Sequence, residues 1–300
     1  MEKKKVIIGS RDSKLAVMQT ELVMEQIRKY NPSVELELIT LKTSGDMNLT
    51  ETVDKIGGKG LFVKELDQAL MEGRIHIAIH SLKDMPMEEN KDLPIVSFFK
   101  RGDARDALIL PAGENIETME KEKLLFNMGT SSNRRKLQVE LLYPGVKTTP
   151  VRGNIITRLE KLDRGEYSAL ILAAAGLQRV NLVHRISKYF SIEEMVPAAG
   201  QGILAIQARK DMDIRFLQEV TDLETMYCAV AERSFVRALD GGCSSPIAAH
   251  ASVIGRQIKL VGLHYNNKTK EHRIHTMLGD VVNAEQLGEA LANKLRGEIG

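Results

Sequence analysis

The sequence predicts an α/β protein with two similar lobes around a cleft and a small α+β domain at its C-terminal end. Three observations predict it. Near the N-terminus an apolar strand, a hydroxyl-bearing turn and an amphipathic helix follow one another, and the same order returns near residue 125. From about residue 221 the pattern changes to a long helix, a glycine turn, paired strands and a closing helix.

Taken in order, Val6-Ile7-Ile8 reads as a short buried strand, and Gly9-Ser10-Arg11-Asp12-Ser13 as the turn opening a helix with Leu15, Met18 and Leu22 on one face. Val34, Leu36 and Leu38 alternate with polar residues as a strand does. Leu61 to Met71 returns to helical spacing through Phe62, Leu66, Ala69 and Leu70. Between them, Thr43 to Gly60 holds Gly45, Gly57, Gly58 and Gly60 with Lys55 and Lys59, a composition that suits a lid or a plain connector equally. Ile75 to Ile79 is another strand, ending in His80-Ser81-Leu82-Lys83-Asp84 before Pro86, and strand ends of this kind are where α/β proteins place ligands.

After Arg101-Gly102-Asp103 come strands near Ala107 to Leu110 and Leu124 to Met128, then Gly129-Thr130-Ser131-Ser132. A strand ending near Arg152, a helix from Asn154 to Leu162 and a strand from Ala169 to Ala173 complete the second lobe. The last segment reads as a helix over Thr225 to Leu239, strands near Ile258 to His264 and Arg273 to Leu278, and a helix from Ala284. The expected limits are 1–99 with 200–220 for the first lobe, 100–199 for the second and 221–300 for the third domain.

Composition narrows the class. With 300 residues and 43% hydrophobic content the chain can bury a sizeable core, and no apolar run approaches the roughly 20 residues of a membrane span. The charged start, Met1 to Lys5, leads into only three apolar residues, so export is not expected and a cytoplasmic location is. Cys228 and Cys243 read as free thiols. A net charge of +2 gives no global field for nucleic acid, so any anion preference is local. Two cysteines fifteen apart and scattered histidines match no zinc spacing, and no metal is expected.

Local anion sites are visible. Both hydroxyl turns place backbone N–H groups at a helix start, where negative charge is favoured, although ordinary N-capping accounts for the hydroxyls as well. Arg134 and Arg135 sit in the first turn of the second helix, where cations oppose the dipole and call for an acidic partner. Arg152 and Arg158 bracket the next helix start, and Arg11 occupies the matching turn of the first lobe; guanidinium forks suit carboxylates. Asp84, beside Lys83, has the chemistry of an acid, a base or a stabiliser of positive charge. Cys243, after two glycines, suits a nucleophile or attachment point on a tight turn, or an inert buried thiol.

Together the blocks resemble the porphobilinogen deaminase (hydroxymethylbilane synthase) family over nearly the whole chain. They are Gly9-Ser10-Arg11 with Ser13 and Gln19, Gly57-Gly58-Lys59-Gly60-Leu61-Phe62, His80 to Pro86, Gly129 to Ser132 with Arg134-Arg135, and Arg152-Gly153-Asn154 with Arg158. Pro197 to Gly202, and Glu232-Arg233 leading to Gly241-Gly242-Cys243, complete the order. Asn133, Asp12, Lys14, Ser168 and Ala199 depart from the usual pattern without removing a functional group.

The resemblance implies head-to-tail joining of four porphobilinogen molecules into hydroxymethylbilane with loss of ammonia, in heme biosynthesis, by a cytoplasmic monomer with no nucleic-acid or membrane partner. It implies a dipyrromethane cofactor attached through Cys243 and held by Ser81, Lys83, Asp84, Thr130, Ser132, Arg134, Arg135, Arg152 and Arg158. Arg11, Ser13, Gln19, Arg152 and Arg179 would bind substrate, with Asp84 and Lys83 catalytic. The rival reading is a noncatalytic small-anion binding module, because two periplasmic-binding-protein-like lobes around a cleft also describe solute-binding proteins.

Overall fold

A computed structural model describes residues 4–43, 63–121, 125–242, 245–266 and 268–298. The glycine-rich segment with Lys55 and Lys59, the Leu61-Phe62 pair and Cys243 lie outside the described residues.

In the first lobe, β1 (Lys4–Arg11) runs parallel to β2 (Val34–Leu41) and β3 (Ile77–Ser81). β4 (Ile95–Phe99) lies at the far edge, and the sheet order is β2-β1-β3-β10-β4, with β10 (Leu204–Ala208) antiparallel to both its neighbours. The second lobe repeats this plan. β5 (Asp106–Ile109), β6 (Asn127–Gly129), β7 (Lys147–Thr149), β8 (Ala169–Ala173) and β9 (Lys188–Tyr189) are ordered β7-β6-β8-β5-β9, with β5 antiparallel to β8. In each sheet the antiparallel strand follows a passage of the chain from one lobe to the other: β5 follows the outward passage and β10 the return.

Helix α1 (Lys14–Tyr30) is capped by Ser13, whose hydroxyl accepts from Ala16 N at 3.2 Å. Its buried face is Thr20, Val23, Met24 and Ile27, packed on Val6, Ile8 and Ile79. The expected core stripe of Leu15, Met18 and Leu22 is not that face, and Leu22 is 40% exposed. The helix carries two apolar stripes. One packs on the sheet, and the other is turned toward the lobe boundary, where Met18 and Leu22 share a groove with Gln178 and Arg179. The turns differ from expectation as well. Gly9, Ser10 and Arg11 belong to β1, and His80 and Ser81 to β3, so the strands reach further toward the cleft than apolar runs alone indicate.

Helix α2 (Lys64–Met71) buries Leu66, Ala69 and Leu70 against Ile75 and Ala78 on the opposite face of the first sheet. In the second lobe α3 (Ile116–Lys121), α4 (Asn133–Leu142), α5 (Ile155–Asp163) and α6 (Ala174–Arg179) surround the sheet, and caps at Ser132 and Asn154 explain where α4 and α5 begin.

The third domain packs α7 (Leu223–Ala238) and α8 (Ala284–Glu298) on one face of an antiparallel sheet of β11 (Ala248–Ile254), β12 (Gln257–Tyr265) and β13 (His272–Asp280). Phe235, Ala251, Leu260 and Leu291 form its core. The two helices touch at Gly288, where a Cβ would lie 2.5 Å from Ala231 O, so only glycine permits the approach. Among the described residues, no helix is long and apolar enough to cross a membrane.

Candidate active site

β3 delivers its end to the cleft. Beyond Ser81, Leu82–Asp84 form one turn of 3-10 helix, with the fully buried Leu82 anchored by its N–H to Ile203 O at 3.0 Å. With Leu82 pointing into the core, Lys83 and Asp84 line a cleft of about 650 Å³ open to solvent. Facing them across it are Ser132, Arg134 and Arg135 at the start of α4, and Gln201 on the returning passage. Gly242 and Ser245 of the third domain also line it.

A smaller space of about 310 Å³ adjoins the end of β3 and is lined by Arg11, Gln19, His80, Ser81 and Asp84. Asp84 is therefore common to both spaces. Ser81 Oγ donates to Gln19 Oε1 at 3.1 Å, which fixes the Gln19 amide with its NH2 group turned away from Ser81. His80 is kept neutral, its pKa lowered to about 4 by burial despite its contact with Gln207.

The acidic partner that Arg134 and Arg135 call for lies within the protein. Arg134 Nη1 donates to Asp106 Oδ2 at 2.7 Å, and Arg135 Nε and Nη2 donate to Asp106 Oδ1 at 3.0 and 2.7 Å. Burial would raise the Asp106 pKa, but the two guanidinium groups outweigh it and hold the carboxyl well below the usual carboxylate range. Two cations share one anion, so the cluster keeps a net positive charge at the cleft wall. Ser132 acts as N-cap to α4, accepting from Arg135 N at 3.4 Å, and still has its own proton to give. Thr130 is buried just behind it and accepts from Ser132 N at 3.2 Å.

Three further cations are shifted by their surroundings. Burial, then the charges of Arg135 and Arg152, lower the Arg158 pKa to about 10, with Asp84 opposing. Its Nε donates to Gly153 O at 2.8 Å, and among the described residues no carboxylate pairs with it. Arg179, also lowered to about 10 by burial, donates Nη2 to Gly202 O at 2.7 Å and likewise has no carboxylate partner among the described residues. Arg179 stands on the groove between α1 and α6, apart from the two spaces that meet at Asp84. Lys83 is lowered to about 8 by burial, with Asp84 pulling it upward and Arg135 downward. Ser13 is occupied as the cap of α1.

Three site-forming residues escape sequence reasoning. Asp106 was signalled only as an acid at the head of an apolar strand, Ala107 to Leu110. Gln201 Nε2 joins it at 2.9 Å, and Lys83 Nζ lies 3.4 Å from Gln201 Oε1, which makes that amide a bridge between the two charged groups. Arg101 reaches Glu232 Oε1 at 2.5 Å and ties the outward passage to the third domain.

The chain is similar to known proteins over nearly its whole length. Residues 6–215 match the family model described as porphobilinogen deaminase, dipyromethane cofactor binding domain, and residues 226–297 match the porphobilinogen deaminase C-terminal domain. Relatives named porphobilinogen deaminase include those of Acetivibrio thermocellus, 52% identical over 97% of this chain and 98% of the relative, and of Ruminiclostridium josui, 52% identical over 98% of each. Among solved structures, the BenM effector binding domain with its effector benzoate is 15% identical, with a TM-score of 0.44 over 75% of this chain and 91% of that one.

Proposed function

The chain belongs to the porphobilinogen deaminase family, a family of transferases, and on that footing we propose that it joins four porphobilinogen molecules head to tail with loss of ammonia. We read it as a cytoplasmic monomer of tetrapyrrole (heme) biosynthesis acting on this small acidic substrate, without nucleic-acid or membrane partners. We also propose lobes of residues 1–99 with 200–220 and of 100–199, and a third domain of 221–300. Pairing of β10 with β3 and β4 supports giving residues near 204 to the first lobe.

The observation that carries the reading is the position of Asp84, the carboxylate shared by a cationic cleft and an adjoining polar space. A dipyrromethane, with two carboxylates on each ring, suits a wall where Asp106 leaves net positive charge and Arg158 has no carboxylate partner among the described residues. Lys83, Ser81, Thr130, Ser132, Arg134, Arg135, Arg152 and Arg158 would hold it, and Cys243 would be its point of attachment. When bound, that group supplies the nucleophilic pyrrole carbon on which the chain is begun.

Substrate would occupy the space beside Arg11 and Gln19, with Ser13 and Arg152 close to its carboxylates and Arg179 serving the lengthening chain. Loss of ammonia from porphobilinogen leaves a cationic azafulvene, and the Asp84 carboxylate is placed to accept from its pyrrole N–H and stabilise that charge. When protonated, the Asp84 carboxyl can pass a proton to the departing amine, and the carboxylate so formed can take one from the ring carbon after coupling, which restores it. Lys83, beside it, balances its charge and holds a ligand carboxylate.

Intact mass of protein from a heme-competent host tests the reading. An adduct of two pyrrole units that disappears in Cys243→Ser, together with ammonia release from porphobilinogen, is the expected result. An unmodified mass with no ammonia release would overturn it in favour of an anion-binding module.

A further inference from the structure

We infer that Arg233 is a positioning residue that sets the place of Asp84 from the third domain. The inference rests on the reading of Asp84 as the catalytic carboxylate. Arg233 lies on α7 and is only 4% exposed. Its Nη2 donates to Pro86 O at 2.6 Å and to Met87 O at 3.2 Å, the carbonyls two and three residues beyond Asp84. Glu89, further along the same loop, lies 3.8 Å from the same nitrogen.

The turn bearing Asp84 is thereby held at both ends. On one side Leu82 N is anchored to Ile203 O in the first lobe; on the other, a guanidinium from another domain grips the exit. A buried cation is costly to desolvate, and an apolar side chain would pack there at lower cost. What an apolar side chain would lack is directional donation to two successive carbonyls, which fixes the turn in angle as well as in depth.

The preceding residue, Glu232, accepts from Gly200 N and Ala251 N at 2.7 Å each and from Arg101. Consecutive positions of one helix thus hold the returning passage and the catalytic turn. Val236, one turn further on, lines the cleft, and α7 ends at Ala238, just short of Gly242 on the same wall. A rigid helix therefore fixes the distance between the Asp84 turn and the wall of the third domain that faces it.

Full-length, cofactor-loaded protein tests this with Arg233→Met, which keeps the apolar stem and removes the donors, and Arg233→Lys. Loading is read by intact mass, so that turnover is expressed per loaded molecule. Arg233→Met should lower kcat by about 10- to 100-fold, the effect of a misplaced catalytic group, with KM changed by less than about 3-fold. Arg233→Lys should fall between, about 3- to 10-fold below the parent, and it carries the test alone if Arg233→Met does not fold. In an Asp84→Asn background Arg233→Met should add less than about 2-fold further loss, because it acts through that carboxylate.

A loaded Arg233→Met enzyme, or Arg233→Lys in its place, within about 2-fold of the parent kcat overturns the inference, even if its melting temperature falls. So does full additivity with Asp84→Asn. If Asp84→Asn itself turns over normally, the catalytic reading fails and the inference with it. An inactive Asp84→Asn beside a normal Arg233→Met sinks the inference alone.

Discussion

Asp106 Oδ2 lies 2.7 Å from Arg134 Nη1, across 28 residues of sequence, and the pair joins the head of β5 to the first turn of α4. Helix starts disfavour cations, so without this fully buried carboxylate the arginine pair would stand against the helix dipole. With it, the wall stays positive toward the cleft and neutralised toward the core.

Asp106→Asn should therefore destabilise the protein by about 3–5 kcal/mol, the cost of leaving buried charge uncompensated. Urea unfolding at pH 7 measures it. Because the folded-state pKa of Asp106 is depressed, its contribution is present above the unfolded value and is lost as pH falls through about 3.9 toward the folded one. The parent should thus lose stability more steeply below about pH 5 than Asp106→Asn does. Equal midpoints at pH 7 would contradict this account.

Asp84→Asn keeps shape while removing the charge and replacing one acceptor oxygen with a donor. Turnover by loaded enzyme should fall at least about 100-fold, the scale of one lost catalytic electrostatic group, with folding retained. Ammonia release measured per loaded molecule decides it, and near-normal release would refute the assigned role.

Much of this was legible because the informative groups sit where chain direction changes. Ser132, Arg134, Arg152, Arg158 and Asp84 stand at strand or helix ends, and local rules place strand and helix ends from sequence alone. Asp106 was not legible, since its partners become neighbours only when β5 runs antiparallel beside β8. The returning strand Leu204-Ala-Ile-Gln-Ala208 and the alanine-rich Ala248–Ile254 give no alternation. All five residues of the first are buried, and small side chains in the second leave room for Phe235 and α8. Periodicity does not identify the inward face of α1, because two neighbours compete for its apolar residues and spacing cannot say which one is the sheet.

Lys83 supplies a pH prediction. Its pKa is lowered to about 8, so its charge is lost as pH rises through that value. Binding of a dipyrromethane by the unloaded protein should weaken above about pH 8 and stay flatter in Lys83→Arg, whose guanidinium remains charged. Stability runs the other way. A lysine pKa depressed on folding penalises the folded state below about 8, and the penalty is relieved as pH rises toward 10.5. In the Cys243→Ser background, Lys83→Met should therefore melt higher than Lys83 protein at pH 7. A lower melting temperature would show that the Asp84 attraction outweighs desolvation.

Gly202 marks the point where the two passages between lobes meet. Its φ is +87°, and a Cβ there would lie 2.8 Å from Gly102 O, a backbone atom that cannot swing aside. Gly102 N donates to Gly202 O at 3.1 Å, and Arg179 Nη2 donates to the same oxygen at 2.7 Å. Gly202→Ala combines a left-handed conformation with a backbone clash, a strain of about 1–3 kcal/mol or more. The urea midpoint should fall accordingly. Because a shift of the chain here moves both the carbonyl that Arg179 grips and the adjoining Ile203 O that anchors Leu82, KM for porphobilinogen should rise and kcat should fall together. A parental midpoint would mean that the passages can separate without cost, and a loss confined to kcat would mean that the Asp84 turn depends on Gly202 more than Arg179 does.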